Sequence, residues 1–224
     1  RINFSELRAY SSYKDIIRLV DKFDSVGLVP TMGSLHEGHL SLIRRALGEN
    51  EKVIVSIYVN PLQFNNSNDL KEYPRDIKND LQKLKDLRDI LVYVPNDNDI
   101  YQKDEMKKKY NFGQFSKIME GKMRPGHFDG VATVVEKLLR RFNPSNAYFG
   151  EKDFQQLILI KALVKKQELK VNIVGCGTIR EDDGLAMSSR NKLLNNLERK
   201  SAANVIRLLK KAKKLYKNST IEET

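Results

Sequence analysis

All three histidines of the chain lie in two short motifs: His36 and His39 in Leu35-His36-Glu37-Gly38-His39, and His127 in Arg124-Pro125-Gly126-His127-Phe128-Asp129-Gly130. Two imidazoles three residues apart, with glycine between them, suit donation to an anionic ligand such as phosphate. The same spacing suits a structural role, in which His36 caps a helix, His39 packs in the core and Gly38 is a turn residue. The preceding Pro30-Thr31-Met32-Gly33 favours phosphate, because it supplies the flexible loop that such a site needs. Gly38, lacking a Cβ, is expected to let a flat nucleotide or its phosphate approach the helix backbone. Zinc is the weaker reading, since neither an HExxH pattern nor a cysteine cluster accompanies the pair, and no protein-held metal site is expected.

These residues need elements to hold them. Apolar runs at Val26–Pro30, Lys52–Val59, Asp89–Val94, Asn146–Phe149 and Val171–Cys176 read as strands, and the first three are rich in β-branched residues without alternation, as in a sheet covered on both faces. Tyr13, Ile16, Ile17 and Val20 have the spacing of one helix face, as do Ile77, Leu81 and Leu84, with Leu87 one turn further on. His39–Leu47, Phe128–Phe142 and Phe154–Leu169 read as three more helices. Alternation of this kind predicts an α/β fold, a doubly wound (Rossmann-like) parallel sheet. His36 and His39 then fall at the carboxyl end of a strand, where a helix beginning near Gly38 offers free N–H groups and a positive dipole end. Gly150-Glu151-Lys152-Asp153 is a second strand-to-helix turn. There Lys152 offers a compact charge to phosphate, and Asp153 either holds ribose hydroxyls or caps the helix.

After Cys176 the pattern changes to a polar, glycine-containing stretch, Gly177–Asn191, and one long amphipathic helix. A lone amphipathic helix makes no core. Residues 1–176 are therefore expected to form the Rossmann-like domain, and residues 177–224 the start of a smaller, incomplete C-terminal α+β domain.

Pro30-Thr31-Met32-Gly33-Ser34-Leu35-His36-Glu37-Gly38-His39 closely resembles the nucleotide signature of the pantothenate synthetase (pantoate–β-alanine ligase) family, within the HxGH nucleotidylyl transferase superfamily. Further stretches resemble that family in the same order: Val59–Phe64 with Tyr73–Asp76, Glu120-Gly121 with Arg124–Val131, Tyr148–Gln156, and Arg180–Asn191. Together these motifs span residues 30 to 191. HxGH alone fixes only adenylate chemistry, so another HxGH nucleotidylyl transferase is the alternative without them.

The resemblance implies ATP-dependent condensation of (R)-pantoate with β-alanine to pantothenate through a pantoyl adenylate, releasing pyrophosphate and AMP. It implies His39, His36 and Lys152 as catalytic residues. It implies an ATP site of Met32, Gly33, Ser34, Leu35, His36, Glu37, Gly38, His39, Gly150, Glu151, Lys152, Asp153, Ile179, Met187, Ser188, Ser189 and Arg190. Ile179 would meet adenine through its backbone, and Met187-Ser188-Ser189-Arg190 resembles a KMSKS-type loop closing over triphosphate. Gln63 and Gln156 would bind pantoate or β-alanine, with His127, Arg124 and Tyr73 supporting the pocket. Mg2+ is implied as companion of the triphosphate, and a homodimer as the assembly.

Bulk properties fit an enzyme. The 224 residues include one cysteine, Cys176, so no intrachain disulfide forms, and it reads as a packing residue. No apolar run reaches the roughly 20 residues of a membrane helix, and the N-terminal stretch lacks a signal-peptide pattern, so a cytoplasmic location is expected. The net charge of +11 raises a nucleic-acid alternative. Much of the excess sits in Lys103–Lys109 and Arg199–Lys217 without interleaved aromatics, so a solvated basic surface is preferred and neither nucleic acid nor membrane is expected as a partner.

Overall fold

The computed structural model describes residues 8–101 and 108–216, so most of the Lys103–Lys109 run and the tail after Tyr216 lie outside the described residues. Six parallel strands, β1 (Ala9–Tyr10), β2 (Val26–Thr31), β3 (Lys52–Ile57), β4 (Ile90–Tyr93), β5 (Asn146–Gly150) and β6 (Asn172–Cys176), form one sheet in the order β1-β4-β3-β2-β5-β6. The connecting helices are α1 (Tyr13–Val20), α2 (Glu37–Glu49), α3 (Ser67–Glu72), α4 (Ile77–Leu84), α5 (Asp97–Ile100), α6 (Met119–Met123), α7 (His127–Phe142), α8 (Phe154–Lys166) and α9 (Asn196–Tyr216).

Both faces of the sheet are covered, which explains the missing alternation of polarity. Leu28, Ile54, Tyr93, Ala147 and Phe149 join α1, α7 and α8 residues such as Ile16, Val135 and Ile160 in one core. Their neighbours Val29, Val53, Val55, Val92 and Tyr148 join Leu42, Ile43 and Ala46 of α2 and Leu84 of α4 in the other.

Three departures from the sequence reading have physical causes. β1, which pairs Ala9 with Val92 and Tyr10 with Tyr93, is too short to show any period. α4 ends at Leu84 rather than Leu87, and its inner face carries Asp80, 1% exposed, while Ile77 is exposed. α8 stops at Lys166, and its first residue, Phe154, is exposed.

The order of strands sets the location of the site. β2, β3 and β4 build toward one edge, and the chain then returns to place β5 and β6 on the other side of β2. β2 and β3 are in register over six residue pairs, whereas β2 and β5 pair only at Gly27–Asn146 and Leu28–Ala147. Beyond these pairs the two strands diverge toward their carboxyl ends, opening a crevice at the point where the winding reverses. Asn50 secures the closed end: its amide nitrogen donates to Tyr148 Oη at 2.7 Å, and its oxygen accepts from Asn146 at 2.8 Å.

Residues after Cys176 fold back over this crevice. A tight turn closed by Gly184, at φ +88°, lets Glu181 N–H reach Leu185 O at 2.8 Å and brings Arg180 opposite Ala186. A 3-10 turn at Ser189–Leu193 follows, then α9, in which Ala203 is the buried residue. No helix among the described residues is long and apolar enough to cross a membrane.

Candidate active site

The loop leaving β2 is held from below. Thr31 Oγ1 donates to Ser56 O at 2.8 Å and accepts from Gly33 N–H at 3.2 Å. Gly33 and Ser34 both have positive φ, +77° and +50°. The strain of a non-glycine residue there is offset by Asp80, whose carboxylate accepts from Ser34 N–H at 2.8 Å and Leu35 N–H at 2.7 Å. Lys83 donates to Leu35 O, Lys192 to Ser34 Oγ at 2.9 Å, and Ser189 Oγ to Ser34 O at 3.1 Å. Asp80, Lys83 and Lys192 are supporting residues that sequence reasoning missed, because their partners lie 45 or more positions away.

The two histidines both cap the helix and face the cleft. His36 is the N-cap of α2, and its Nδ1 accepts from Gly38 N–H at 3.1 Å, while His39 Nδ1 accepts from His36 N–H at 3.3 Å. Their rings lie 4.0 Å apart. An Nδ1 that accepts a backbone N–H carries no proton in the neutral ring, so each proton sits on Nε2, on the ring edge left for the cleft. Both rings are held neutral. Burial, then the charges of Lys152, Lys83 and Lys192, lower His36 to about 4. Burial, then His36, Lys152 and Lys83, lower His39 to about 3. Gly38, which lines the cleft, has a further reason beside the one expected: a Cβ there would meet the His36 ring at 2.9 Å, so the glycine makes room for the folded-back cap.

On the opposite bank, Phe149 and Gly150 bring Lys152 and Asp153 to the carboxyl end of β5, with Lys152 Nζ donating to Asp153 Oδ1 at 2.8 Å. Asp153 occupies the N-cap position of α8 without making a side-chain cap bond. The adjacent glutamines divide their work. Gln155 is buried and spends its amide on Phe115 O, Ile118 O and Glu120 N–H, whereas Gln156 lines the cleft.

The inner end is built on Asn60, buried after β3. Its oxygen accepts from Tyr101 Oη at 2.7 Å and Leu62 N–H at 3.2 Å, and its nitrogen donates to Gly130 O and Gln63 Oε1, each at 3.1 Å. With Oε1 so occupied, Gln63 turns Nε2 toward Met32, whose sulfur lies at 2.9 Å. His127 Nδ1 donates to Gln63 O at 2.7 Å, which fixes the proton on Nδ1 and leaves Nε2 to accept from Arg124 at 3.2 Å. Burial lowers the His127 pKa in spite of the Gln63 carbonyl, so His127 too is neutral.

These groups surround one cleft of about 270 Å3 with an apolar floor that includes Val131, Val134, Val135, Leu138 and Phe149. Of the residues singled out in the sequence, Met32, His36, Gly38, His39, Gln63, Gly150, Lys152, Asp153, Gln156, Ile179, Met187, Ser188, Ser189 and Arg190 line it. Gly33, Ser34 and Leu35 lie beneath it as buried support. Glu37 pairs with Arg44 on the outer surface, and Glu151 is exposed beside Gly175, so neither side chain faces the cleft.

An open parallel sheet carrying paired neutral histidines at a helix start, with a lysine on the facing strand end, defines an α/β nucleotide-handling enzyme of the HxGH kind. The family model for pantoate-beta-alanine ligase matches residues 4–224. The chain is 49% identical over 200 residues to the pantothenate synthetase of Flavobacterium psychrophilum, covering 89% of this chain and 71% of the relative. It is 49% identical over 203 residues to that of Caldicellulosiruptor saccharolyticus, covering 90% and 72%. The crystal structure of pantothenate synthetase from Thermus thermophilus superposes with a TM-score of 0.90 at 40% identity, covering 95% of this chain and 76% of that one. The pantoate-beta-alanine ligase of Francisella tularensis, complexed with beta-gamma ATP and beta-alanine, gives a TM-score of 0.86 at 42% identity, covering 91% and 79%. The chain belongs to the pantoate–β-alanine ligase family.

Proposed function

We propose that this cleft condenses pantoate with β-alanine, driven by ATP. A pantoate carboxylate oxygen attacks the α-phosphorus, the bond to the bridging oxygen breaks, and pyrophosphate leaves. The β-alanine amine then attacks the acyl carbon of the adenylate, AMP departs with the bonding pair, and the amine loses a proton. The ligands of the Francisella tularensis structure, a β,γ ATP and β-alanine, fit this pair of half-reactions.

The observation that carries the reading is the placement of His36, His39 and Lys152 across the reversal point of the sheet, with Gln63 and Gln156 lining the same cleft. Neutral histidines with Nε2–H toward the cleft donate to phosphate oxygens without having to give up a proton. Lys152 adds the positive charge that the crowded phosphoryl transition state needs. Gln63 offers an N–H to an acid or hydroxyl oxygen of the acyl substrate while adding no charge. Ser188, whose Oγ accepts from Arg190 N–H and keeps its proton, offers a hydroxyl from above, while Ser189, donating to Ser34 O, holds the loop in place. Mg2+ enters this reading as the ion that the triphosphate oxygens coordinate, since divalent ions bridge phosphate oxygens and keep water ligands.

We also read residues 177–216 as part of a lid over the nucleotide, and the enzyme as a homodimer, which equilibrium sedimentation tests directly. The chemistry is tested by mixing protein, magnesium-ATP and pantoate, then adding β-alanine. Pyrophosphate release that requires pantoate, followed by AMP and pantothenate release that requires β-alanine, is expected. His39→Ala should lower the first step by about 10²–10³-fold, as loss of one transition-state donor does. Pyrophosphate release without pantoate, or normal activity in His39→Ala, overturns the assignment.

A further inference from the structure

We propose that Asp69 is a positioning residue that aims the Arg190 guanidinium at the phosphate end of the cleft, an inference that rests on the adenylate reading above. Arg190 Nε and Nη2 donate to Asp69 Oδ1 at 3.1 and 3.0 Å, and Nη2 also reaches Oδ2 at 2.9 Å. The two residues are 121 positions apart, one in α3 and the other in the 3-10 turn after Ser188.

The guanidinium is confined on a second side. Its central carbon lies 5.1 Å from the centroid of the Tyr73 ring, which is itself buried and held edge-on by Phe64 at 5.7 Å. With Nε and Nη2 taken and one face covered, Nη1 has no protein acceptor among the described residues, and Arg190 lines the cleft. A free arginine side chain loses considerable rotamer freedom when it binds an anion. A planar fork already fixed by a carboxylate and a ring has lost it in advance, and presents its remaining N–H pair in one direction. The same clamp ties α3, which follows Gln63, to the loop that carries Ser188 and Ser189. The segment beside the acyl substrate and the segment above the nucleotide are thereby fixed to each other.

The test is a calorimetric titration of the full chain with the β,γ-methylene analogue of ATP, for wild type, Asp69→Asn, Arg190→Ala and the double variant. Asp69→Asn should weaken binding on the order of tenfold, the effect of one lost charge-assisted interaction. The double variant should bind no more weakly than Arg190→Ala alone, because Asp69 acts only through that arginine. Arg190→Lys, which keeps the charge but cannot take the fork, should lose affinity and become insensitive to Asp69→Asn. A purely structural aspartate would instead give additive losses and a matching fall in thermal stability. Unchanged or tighter binding in Asp69→Asn, or additive losses in the double variant, overturns the proposal. Unchanged binding in Arg190→Ala removes the contact of Arg190 with phosphate and overturns the proposal as well, whereas the adenylate reading, which stands on His36, His39 and Lys152, falls only by the pantoate-dependence assay above.

Discussion

His36 and His39 show how a structural role and the chemical role proposed above can share one side chain. The helix cap consumes Nδ1 of each ring, and that same bond assigns the remaining proton to Nε2. With pKa values lowered to about 4 and about 3, neither ring changes charge near pH 6.5. The pH profile of pantoate-dependent pyrophosphate release should therefore lack a limb at that pH, with no loss assignable to the pair until it approaches 4. The folded histidines bind protons less readily than unfolded ones, so between pH 6.5 and about 4 the unfolded chain takes up protons that the folded chain does not. Stability should fall on acidification through that window, and urea midpoints of wild type against His36→Gln would register the difference. Lys152→Met, by removing a neighbouring charge, should raise the His36 pKa toward its ordinary value, measured by imidazole NMR titration. The motif was legible because its residues are adjacent in the chain. Asp80 was not, since nothing local marks an aspartate on an otherwise apolar helix face as the acceptor of two amides in a loop 45 positions earlier. Gln156 was set apart from Gln155 by the family resemblance alone, and the fold supplies the physical reason, since Gln155 is spent on backbone groups of Phe115, Ile118 and Glu120 while Gln156 lines the cleft.

At the scale of elements, the loops around the cleft are held in place because their neighbours are crowded. A Cβ on Gly130 of α7 would meet Leu62 O at 2.2 Å and Gln63 Cα at 2.7 Å, so the helix lies directly against the turn that carries Gln63. Gly130→Ala should displace that turn, raising KM for pantoate while leaving affinity for the ATP analogue near wild type, and should destabilise the fold by about 1–3 kcal/mol. Asp80→Asn sets an amide N–H against a backbone N–H and costs about 1–3 kcal/mol, together with weaker nucleotide binding. Denaturant unfolding paired with substrate titration separates the two terms. Five strands were readable from their apolar runs, within about two residues at each end. β1 and the short helices α3, α5 and α6 were not. Segments of two to six residues show no period, and their conformation is fixed by partners such as β4.

For the molecule as a whole, cohesion is uneven. Ala203 is buried, whereas Leu208 and Leu209 are 64% and 60% exposed on the same helix. Leu208→Glu is expected to shift stability by no more than about 0.5 kcal/mol, and Ala203→Glu by several-fold more, as read by thermal unfolding. Amides of α9 beyond Ala203 should exchange with solvent through local opening, while those of α7 exchange only on global unfolding. The two-pair join between β2 and β5 has its own consequence. It divides the sheet into two unequal leaves, stitched at one end by Asn50 and unsewn at the other, where His36 and His39 stand on one leaf and Lys152 on the other. A nucleotide gripped by both sides acts as a clasp across the gap, so its occupancy should slow amide exchange first at Leu28 and Ala147, the last stitches before the opening.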